Sequence, residues 1–175
     1  MIGMVRWRWA PLLQAVTSAL FVGAACWLAA PFDAGQWALA IAGVLIVWPL
    51  FEWAVHRVLL HGATPAHHHT HHVDPQGDLS VMPPMIETVL LLVFAAMVAA
   101  LGWRGGAALF AGFAFGYGLY NDVHWCLHAG YWPRGRGFDA VARRHAVHHG
   151  GADVNYNVLL PVGDWLFGTY RSAAS

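Results

Sequence analysis

Long apolar runs alternate with polar, histidine-rich segments along this chain of 175 residues. Four of the apolar runs have about 20 residues, the length that a helix needs to cross a bilayer. They cover approximately residues 11–30, 36–56, 84–103 and 105–124. Short turns at residues 31–35 and 102–106 join the members of each pair. The pattern predicts an all-α fold in which four transmembrane helices form two hairpins.

A polar segment follows each predicted hairpin, at residues 57–83 and 129–175. Within the second segment, the spacing predicts a short helix from Asp139 to His149. The length suits a single domain, residues 1–175. We therefore expect the two polar segments to form one histidine-rich helical cap on the cytosolic side of the four spans.

The composition agrees with a membrane protein, because 58% of the residues are hydrophobic and only 10% are charged. Soluble domains carry about 25% charged residues. Nine arginines balance nine acidic residues, and this net charge of zero gives no basic surface for a nucleic acid. Two cysteines in or beside apolar runs indicate no disulfide framework.

Arginine placement predicts the orientation, because basic residues concentrate on the cytosolic side of membrane proteins. In a four-span arrangement only Arg104 falls on the outer side. The other eight share one side: Arg6, Arg8, Arg57, Arg134, Arg136, Arg143, Arg144 and Arg171. We interpret the chain as an integral protein of a bacterial inner membrane, with both termini and both polar segments in the cytosol.

Histidines carry the strongest chemical signal, since all twelve lie beyond residue 55 and close to the predicted span ends. Ten of them follow a repeated pattern, HX4H then HX2HH, then HX3H and again HX2HH. These ten are His56, His61, His68, His71, His72, His124, His128, His145, His148 and His149. His67 and His69 fall outside the pattern, and we expect no ligand role for them.

Helical geometry supports most of this set, because residues three or four apart share one helix face. His124 and His128 form such a pair, and each HX2HH motif forms a comb of three imidazoles. His56 and His61 are five apart and diverge by about 140° on an ideal α-helix. A bend or helix end near Leu59 and Leu60 is therefore required if both are to bind a metal.

Ten imidazoles are too many for one zinc ion, which takes about four ligands. They suit two metal ions with roughly five nitrogens each, and iron accepts imidazole readily, although a purified sample could carry zinc. Two iron ions can activate dioxygen for attack on an unactivated C–H bond. Nearby polar residues could orient the imidazoles from a second layer of contacts: Glu52, Asp122, Asp164 and Asn155.

These motifs resemble those of the fatty acid hydroxylase and sterol desaturase superfamily. The four histidine boxes of that superfamily are similar to residues 56–61, 68–72, 120–128 and 144–149. Its closing segment resembles residues 155–158 and 164–169, although the superfamily usually has glycine where Asn157 stands and Trp-Asp where Gly163 and Asp164 stand.

The resemblance implies an integral membrane oxygenase that acts on lipids with a dinuclear metal centre, dioxygen and a separate electron donor of the ferredoxin or cytochrome b5 type. The leading hypothesis is a hydroxylase, or a desaturase, of a fatty acyl chain or sterol. A carotenoid ring hydroxylase is one alternative. A metal-binding or metal-transporting membrane protein is another, although a transporter should place its ligands near the bilayer midplane.

Overall fold

The computed structural model describes residues 2–74, 83–130, 135–151 and 153–172. Within these ranges it describes side chains at all positions except 2–11, 13, 14, 67 and 83–86. The end of the predicted polar segment at 57–83 and the side chains of Arg6, Arg8 and Arg134 therefore lie outside the described part of the chain.

The described residues form helices and contain no strand, which confirms the all-α prediction. Six helices follow one another: α1 Ile2–Ala29, α2 Ala34–Ala63, α3 Pro65–Val73, α4 Pro83–Ala129, α5 Arg136–His149 and α6 Val162–Leu166. Helix α2 includes two π-helical stretches, Gly43–Val47 and Val55–Ala63. Helix α5 contains the predicted Asp139–His149 helix and begins three residues earlier.

Two helical stretches among the described residues are long and apolar enough to cross a membrane, Ala34–Ala63 and Glu87–Ala129. The apolar stretch Ala15–Ala29 is shorter. Gly102 interrupts α4 with a φ of 72° and a ψ of 173°, a conformation outside the helical region that glycine adopts readily. The interruption falls in the predicted turn between the third and fourth apolar runs.

The chain divides into two compact units, of which the first comprises Met1–Trp48 and Ser80–Asn121. Here the two arms of α4 pack closely, since a Cβ at Gly106 would lie 2.5 Å from Val98 Cα. Gly112 similarly packs against the backbone of Ala40, so that a side chain there would collide with the Ala40 carbonyl. The predicted second hairpin is present, and glycines allow its close packing.

Arg104 ties the turn of the second hairpin to the turn of the first. Its guanidinium donates to the carbonyl oxygens of Ala29 (3.2 Å) and Pro31, and to Gln36 Oε1 at 3.2 Å. Gln36 also forms a capping box with Asp33 at the start of α2. Arg104 therefore satisfies a carbonyl group at the end of α1 and a second one in the turn that follows.

The second unit comprises Pro49–Leu79 and Asp122–Ser175. Its described elements are the last part of α2, helix α3, the end of α4, helix α5 and the C-terminal segment that contains α6. All ten pattern histidines belong to this unit.

Candidate metal centre

The π-helical end of α2 places His56 and His61 on the same side. A π-helix forms hydrogen bonds from each residue to the fifth one along, so residues five apart lie above one another. The ring centroids of His56 and His61 are 5.2 Å apart. The bend expected near Leu59 and Leu60 does not occur, because the helix widens instead of ending.

The first cluster contains five histidines whose ligand nitrogens all lie within 4.8 Å of one another. They come from α2, α3 and α5: His56, His61, His68, His72 and His148. Three pairs of Nε2 atoms make close approaches. The separations are 2.9 Å for His56 and His68, 3.0 Å for His68 and His72, and 3.4 Å for His61 and His148.

The second cluster contains His71, His124, His128 and His149, again with ligand nitrogens within 4.8 Å of one another. His145 lies beside it, with Nε2 only 3.0 Å from His128 Nε2 and its ring centroid 4.4 Å from that of His149. His124 and His128, the predicted i, i+4 pair, have Nε2 atoms 3.1 Å apart. The two clusters and the adjacent His145 together account for all ten histidines of the pattern.

These nitrogen separations fit ligands of a common metal ion. Two imidazole nitrogens that each lie about 2.0–2.1 Å from one ion, at right angles or at the tetrahedral angle, are about 2.9–3.4 Å apart. Two neutral imidazoles this close can form only one hydrogen bond, in which one nitrogen donates its proton to the lone pair of the other. Five crowded rings therefore leave several nitrogen lone pairs directed at the centre of the cluster. The donor set is therefore suited to two cations, one in each cluster.

Both HX2HH combs are divided between the clusters. From α3, His68 and His72 join the first cluster and His71 joins the second. From α5, His148 joins the first cluster and His149 joins the second. The clusters adjoin, because the rings of His72 and His149 stack with centroids 4.3 Å apart and planes 13° apart. The two candidate metal sites are therefore neighbours.

Burial keeps the imidazoles of the cap neutral. It lowers the pKa of His68 to about 2 and that of His149 to about 2, with neighbouring imidazoles adding to the effect. The pKa of His148 falls to about 4 by burial, although the Val154 carbonyl opposes the shift, and burial also holds the pKa of His145 well below 6.5. A neutral imidazole is the form that binds a metal.

Two backbone carbonyls of the C-terminal segment contact imidazole rings of the first cluster. Tyr156 O lies 2.6 Å from His56 Nδ1, and Val154 O lies 2.9 Å from His148 Nδ1. Since a carbonyl can only accept, each Nδ1 carries the proton and each Nε2 keeps its lone pair for a metal. Sequence reasoning missed both contacts, because a peptide carbonyl leaves no mark on the residue type.

Of the four residues predicted to support the ligands, Glu52 and Asp164 are buried and bind this same C-terminal segment. Asn155 is buried too and binds Arg171 and the carbonyl of Arg144. Asp122 is exposed.

The two histidines outside the pattern are not part of either cluster as far as the structure describes them. His69 is exposed, and the side chain of His67 lies outside the described part of the chain. Asp153, which the sequence did not single out, lies 3.6 Å from His61 Nδ1 and accepts a hydrogen bond from the Tyr156 hydroxyl at 2.9 Å.

Comparison with known proteins gives a consistent result. A family model described as fatty acid hydroxylase matches residues 41–169. A dihydroceramide fatty acyl 2-hydroxylase of Arabidopsis thaliana is 32% identical over 146 residues, which cover 77% of this chain and 61% of that protein. Human fatty acid 2-hydroxylase is 31% identical over 116 residues, covering 59% of this chain and 31% of that protein.

A ceramide very long chain fatty acid hydroxylase of Saccharomyces cerevisiae is 32% identical over 144 residues, covering 72% of this chain and 36% of that protein. The chain thus spans less than two thirds of the length of these curated relatives.

The fold also matches a solved structure, that of full-length scs7p, in which only the hydroxylase domain is visible. The TM-score is 0.75 with 24% identity, and the match covers 97% of this chain and 68% of that one. The resemblance that the four histidine boxes predicted is confirmed by the family model and by these relatives. The chain belongs to the fatty acid hydroxylase family.

Proposed function

We propose that this chain is a membrane-bound hydroxylase that uses two metal ions and dioxygen to oxidise a lipid acyl chain. The observation that carries the proposal is the pair of adjoining imidazole clusters, whose nitrogens lie as close together as ligands of a common ion. All ten pattern histidines serve as ligands in this proposal, five for each ion.

In this reaction the chain's own residues bind the metal ions, orient the imidazoles and shield the site from bulk water. The imidazoles hold two ions side by side, and we assign iron as the working metal because it accepts nitrogen ligands and supports oxygen chemistry. When bound, the metals supply the activation of dioxygen and the oxidation of a C–H bond. Burial of the ligands keeps protons and bulk water from competing for the same nitrogen lone pairs.

The relatives indicate the substrate class. The plant protein is named for dihydroceramide fatty acyl groups, and the human protein is named a fatty acid 2-hydroxylase. We therefore propose a fatty acyl chain as the substrate and the carbon next to the carbonyl as the position attacked. These names favour the acyl branch over sterols and over the alternative of a carotenoid ring hydroxylase.

The reaction needs a supply of electrons. One oxygen atom of dioxygen enters the C–H bond and the other becomes water, which takes two electrons and two protons. We assign these electrons to a separate donor of the ferredoxin or cytochrome b5 type. We further propose four membrane spans, a bacterial inner membrane, and cytosolic termini and histidines, on the strength of the four apolar runs and the arginine distribution.

The test is lipid mass spectrometry on bacteria that do or do not express the chain. Aerobic expression should produce acyl chains that carry one additional oxygen atom, and incubation with labelled dioxygen should place the label in them. His149→Ala should abolish the product, because it removes a ligand of the second ion. His69→Ala is the matched control, since His69 is exposed and belongs to neither cluster.

Product that forms without dioxygen would contradict an oxygenase. Loss of two hydrogens without added oxygen would identify a desaturase instead. Metal that crosses sealed vesicles through the protein without oxygen consumption would support the transporter.

A further inference from the structure

We infer that residues 154–158 are a positioning element for the first cluster, and that Asp164 and Glu52 hold this element in place. The inference rests on the proposed function, because it concerns how one of the two proposed metal sites is shaped. It assigns Asp164 and Glu52 as positioning residues that act on the ligands through the peptide backbone.

The contacts of the segment converge on one cluster. Its two carbonyls bind Nδ1 of His56 and of His148, both members of the first cluster. The ring of Tyr156 packs against three members of the same cluster. The centroid separations are 5.5 Å to His56, 5.1 Å to His61 and 5.6 Å to His148. Side chain and backbone of the segment thus constrain the same imidazoles.

Asp164 fixes the direction of the Tyr156 carbonyl. Its carboxylate is fully buried and accepts from the backbone N–H groups of Tyr156 and Asn157, each at 2.9 Å. The Tyr156 carbonyl and the Asn157 N–H belong to one trans peptide, in which they point in opposite directions. By binding the N–H on one side, Asp164 aims the carbonyl at His56 on the other.

Asp164 is itself held on several sides. Thr169 Oγ1 donates to Asp164 Oδ1 at 2.7 Å, and the Asp164 N–H donates to Asn157 Oδ1 at 3.2 Å. The backbone N–H groups of Thr169 and Tyr170 both donate to the Asp164 carbonyl. The Asp164 carboxylate is therefore held in one orientation, and through its hydrogen bonds it fixes the backbone of residues 154–158.

Glu52 ties the segment to the helix that carries His56. It lies four residues before His56 on α2, is 4% exposed, and accepts from the Val158 N–H at 2.7 Å. Its other oxygen accepts from Asn157 Nδ2 at 3.2 Å, and the same amide donates to the Pro49 carbonyl at 2.7 Å. The segment and the first ligand helix are thus fixed to each other by buried hydrogen bonds.

Asn155 makes the corresponding connection to the helix that carries His148. Its backbone is left-handed, with a φ of 56°, a conformation that asparagine tolerates better than most residues. Its side chain donates to the carbonyl of Arg144 on α5 and exchanges hydrogen bonds with the backbone of Arg171. This turn presents the preceding Val154 carbonyl to His148.

The test is a zinc titration of the purified full chain in detergent micelles, with Zn2+ as the probe metal. Wild type should bind two ions. In Asp164→Asn, the side-chain NH2 group faces the backbone N–H of Asn157, and two donors cannot bind each other. The peptide between Tyr156 and Asn157 is then no longer held, and the Tyr156 carbonyl no longer points at His56. We expect affinity at the first cluster to fall about 10- to 100-fold, the usual effect of losing an outer hydrogen bond to a metal ligand. Asp139→Asn is the matched control, because Asp139 is exposed on α5.

Two backgrounds identify the cluster that is affected. With His124 and His128 both replaced by alanine, the remaining ion reports on the first cluster, and Asp164→Asn should weaken its binding. With His61 and His68 both replaced, the remaining ion reports on the second cluster, and Asp164→Asn should leave its affinity unchanged. Glu52→Gln, which turns one acceptor into a donor towards Asn157, should show the same selectivity and carries the test if Asp164→Asn does not fold.

Equal weakening at both clusters, or unchanged affinity at the first, would overturn the inference. Neither result would affect the proposed function, provided that wild type binds two ions. A wild-type chain that binds fewer than two ions would instead contradict the dinuclear centre itself.

Discussion

An imidazole that is to bind a metal must offer a nitrogen lone pair at neutral pH. In this protein burial secures that form before any metal arrives, since it lowers the pKa of His68 and His149 to about 2 and of His148 to about 4. The same burial lowers the stability of the fold in acid, because the unfolded chain can protonate these rings and the folded chain cannot.

We predict that the metal-free protein loses stability as the pH falls below 6.5. The unfolded state then takes up protons at histidines whose ordinary pKa is 6.5, whereas the folded state does not. Stability therefore falls with falling pH, by about 1 kcal/mol per pH unit for each such imidazole.

Thermal unfolding of the chelator-treated protein in detergent, measured between about pH 7.5 and pH 5, checks this prediction. The midpoint should drop steadily, and saturating zinc should reduce the drop at the upper end of the range. A midpoint that is flat or rises on acidification would contradict this prediction, because it would show that the folded chain takes up at least as many protons as the unfolded one.

Among the secondary-structure elements, the π-helix at the end of α2 governs the shape of the first cluster. π-Helical turns are rare and occur frequently at functional sites. Here Val55–Ala63 brings His56 and His61, which are five residues apart, to one side. The sequence indicated only that an ordinary α-helix would fail, because the choice of helix type depends on contacts such as that between His56 and the distant Tyr156 carbonyl.

Deleting one residue from this π-helix should weaken metal binding at the first cluster less than inserting one residue does. Deleting Val58, which is 62% exposed, leaves the two histidines four apart, so a normal α-helix would still place them on one face. Inserting one alanine after Val58 leaves them six apart, and neither helix type aligns residues at that spacing.

Metal analysis of both variants distinguishes the two cases. The deletion should retain more of the first-cluster ion than the insertion, which should lose it. Equal retention in both variants would mean that the π-helix is unimportant for binding.

Element positions could be predicted from the sequence better than element partners could. Apolar runs and glycines located the break at Gly102, and i, i+4 spacing identified His124 and His128 as a pair. Spacing says which face of a helix a side chain occupies, but not which neighbour it meets. The division of His71 from His72, and of His148 from His149, therefore became visible only in three dimensions.

At the scale of the whole molecule, the arginine distribution predicts which compartment holds the histidines. In a background without the native thiols, we replace the exposed residue Ser172 with cysteine and treat intact cells with a membrane-impermeant maleimide. Ser172→Cys should be protected in intact cells and labelled in inverted vesicles, because the C-terminus is cytosolic in the proposed orientation.

Ala34→Cys supplies the opposite control, since Ala34 is exposed at the start of α2, after the first apolar run. It should be labelled in intact cells. Labelling of Ser172→Cys from outside, together with protection of Ala34→Cys, would reverse the orientation.

The sharing of each histidine comb between the clusters has a consequence for assembly. In the proposed centre, an ion in the first cluster would join His61 to His148, which are 87 residues apart in sequence, and would act as a cross-link between distant parts of the chain. Folding closes this loop before the ion binds, so the ion does not bear the conformational-entropy cost of closing it. Neither half of the chain carries all the histidines of either cluster. In the proposed centre, complete metal loading would therefore follow folding, and each bound ion would then slow unfolding by linking distant segments of the chain.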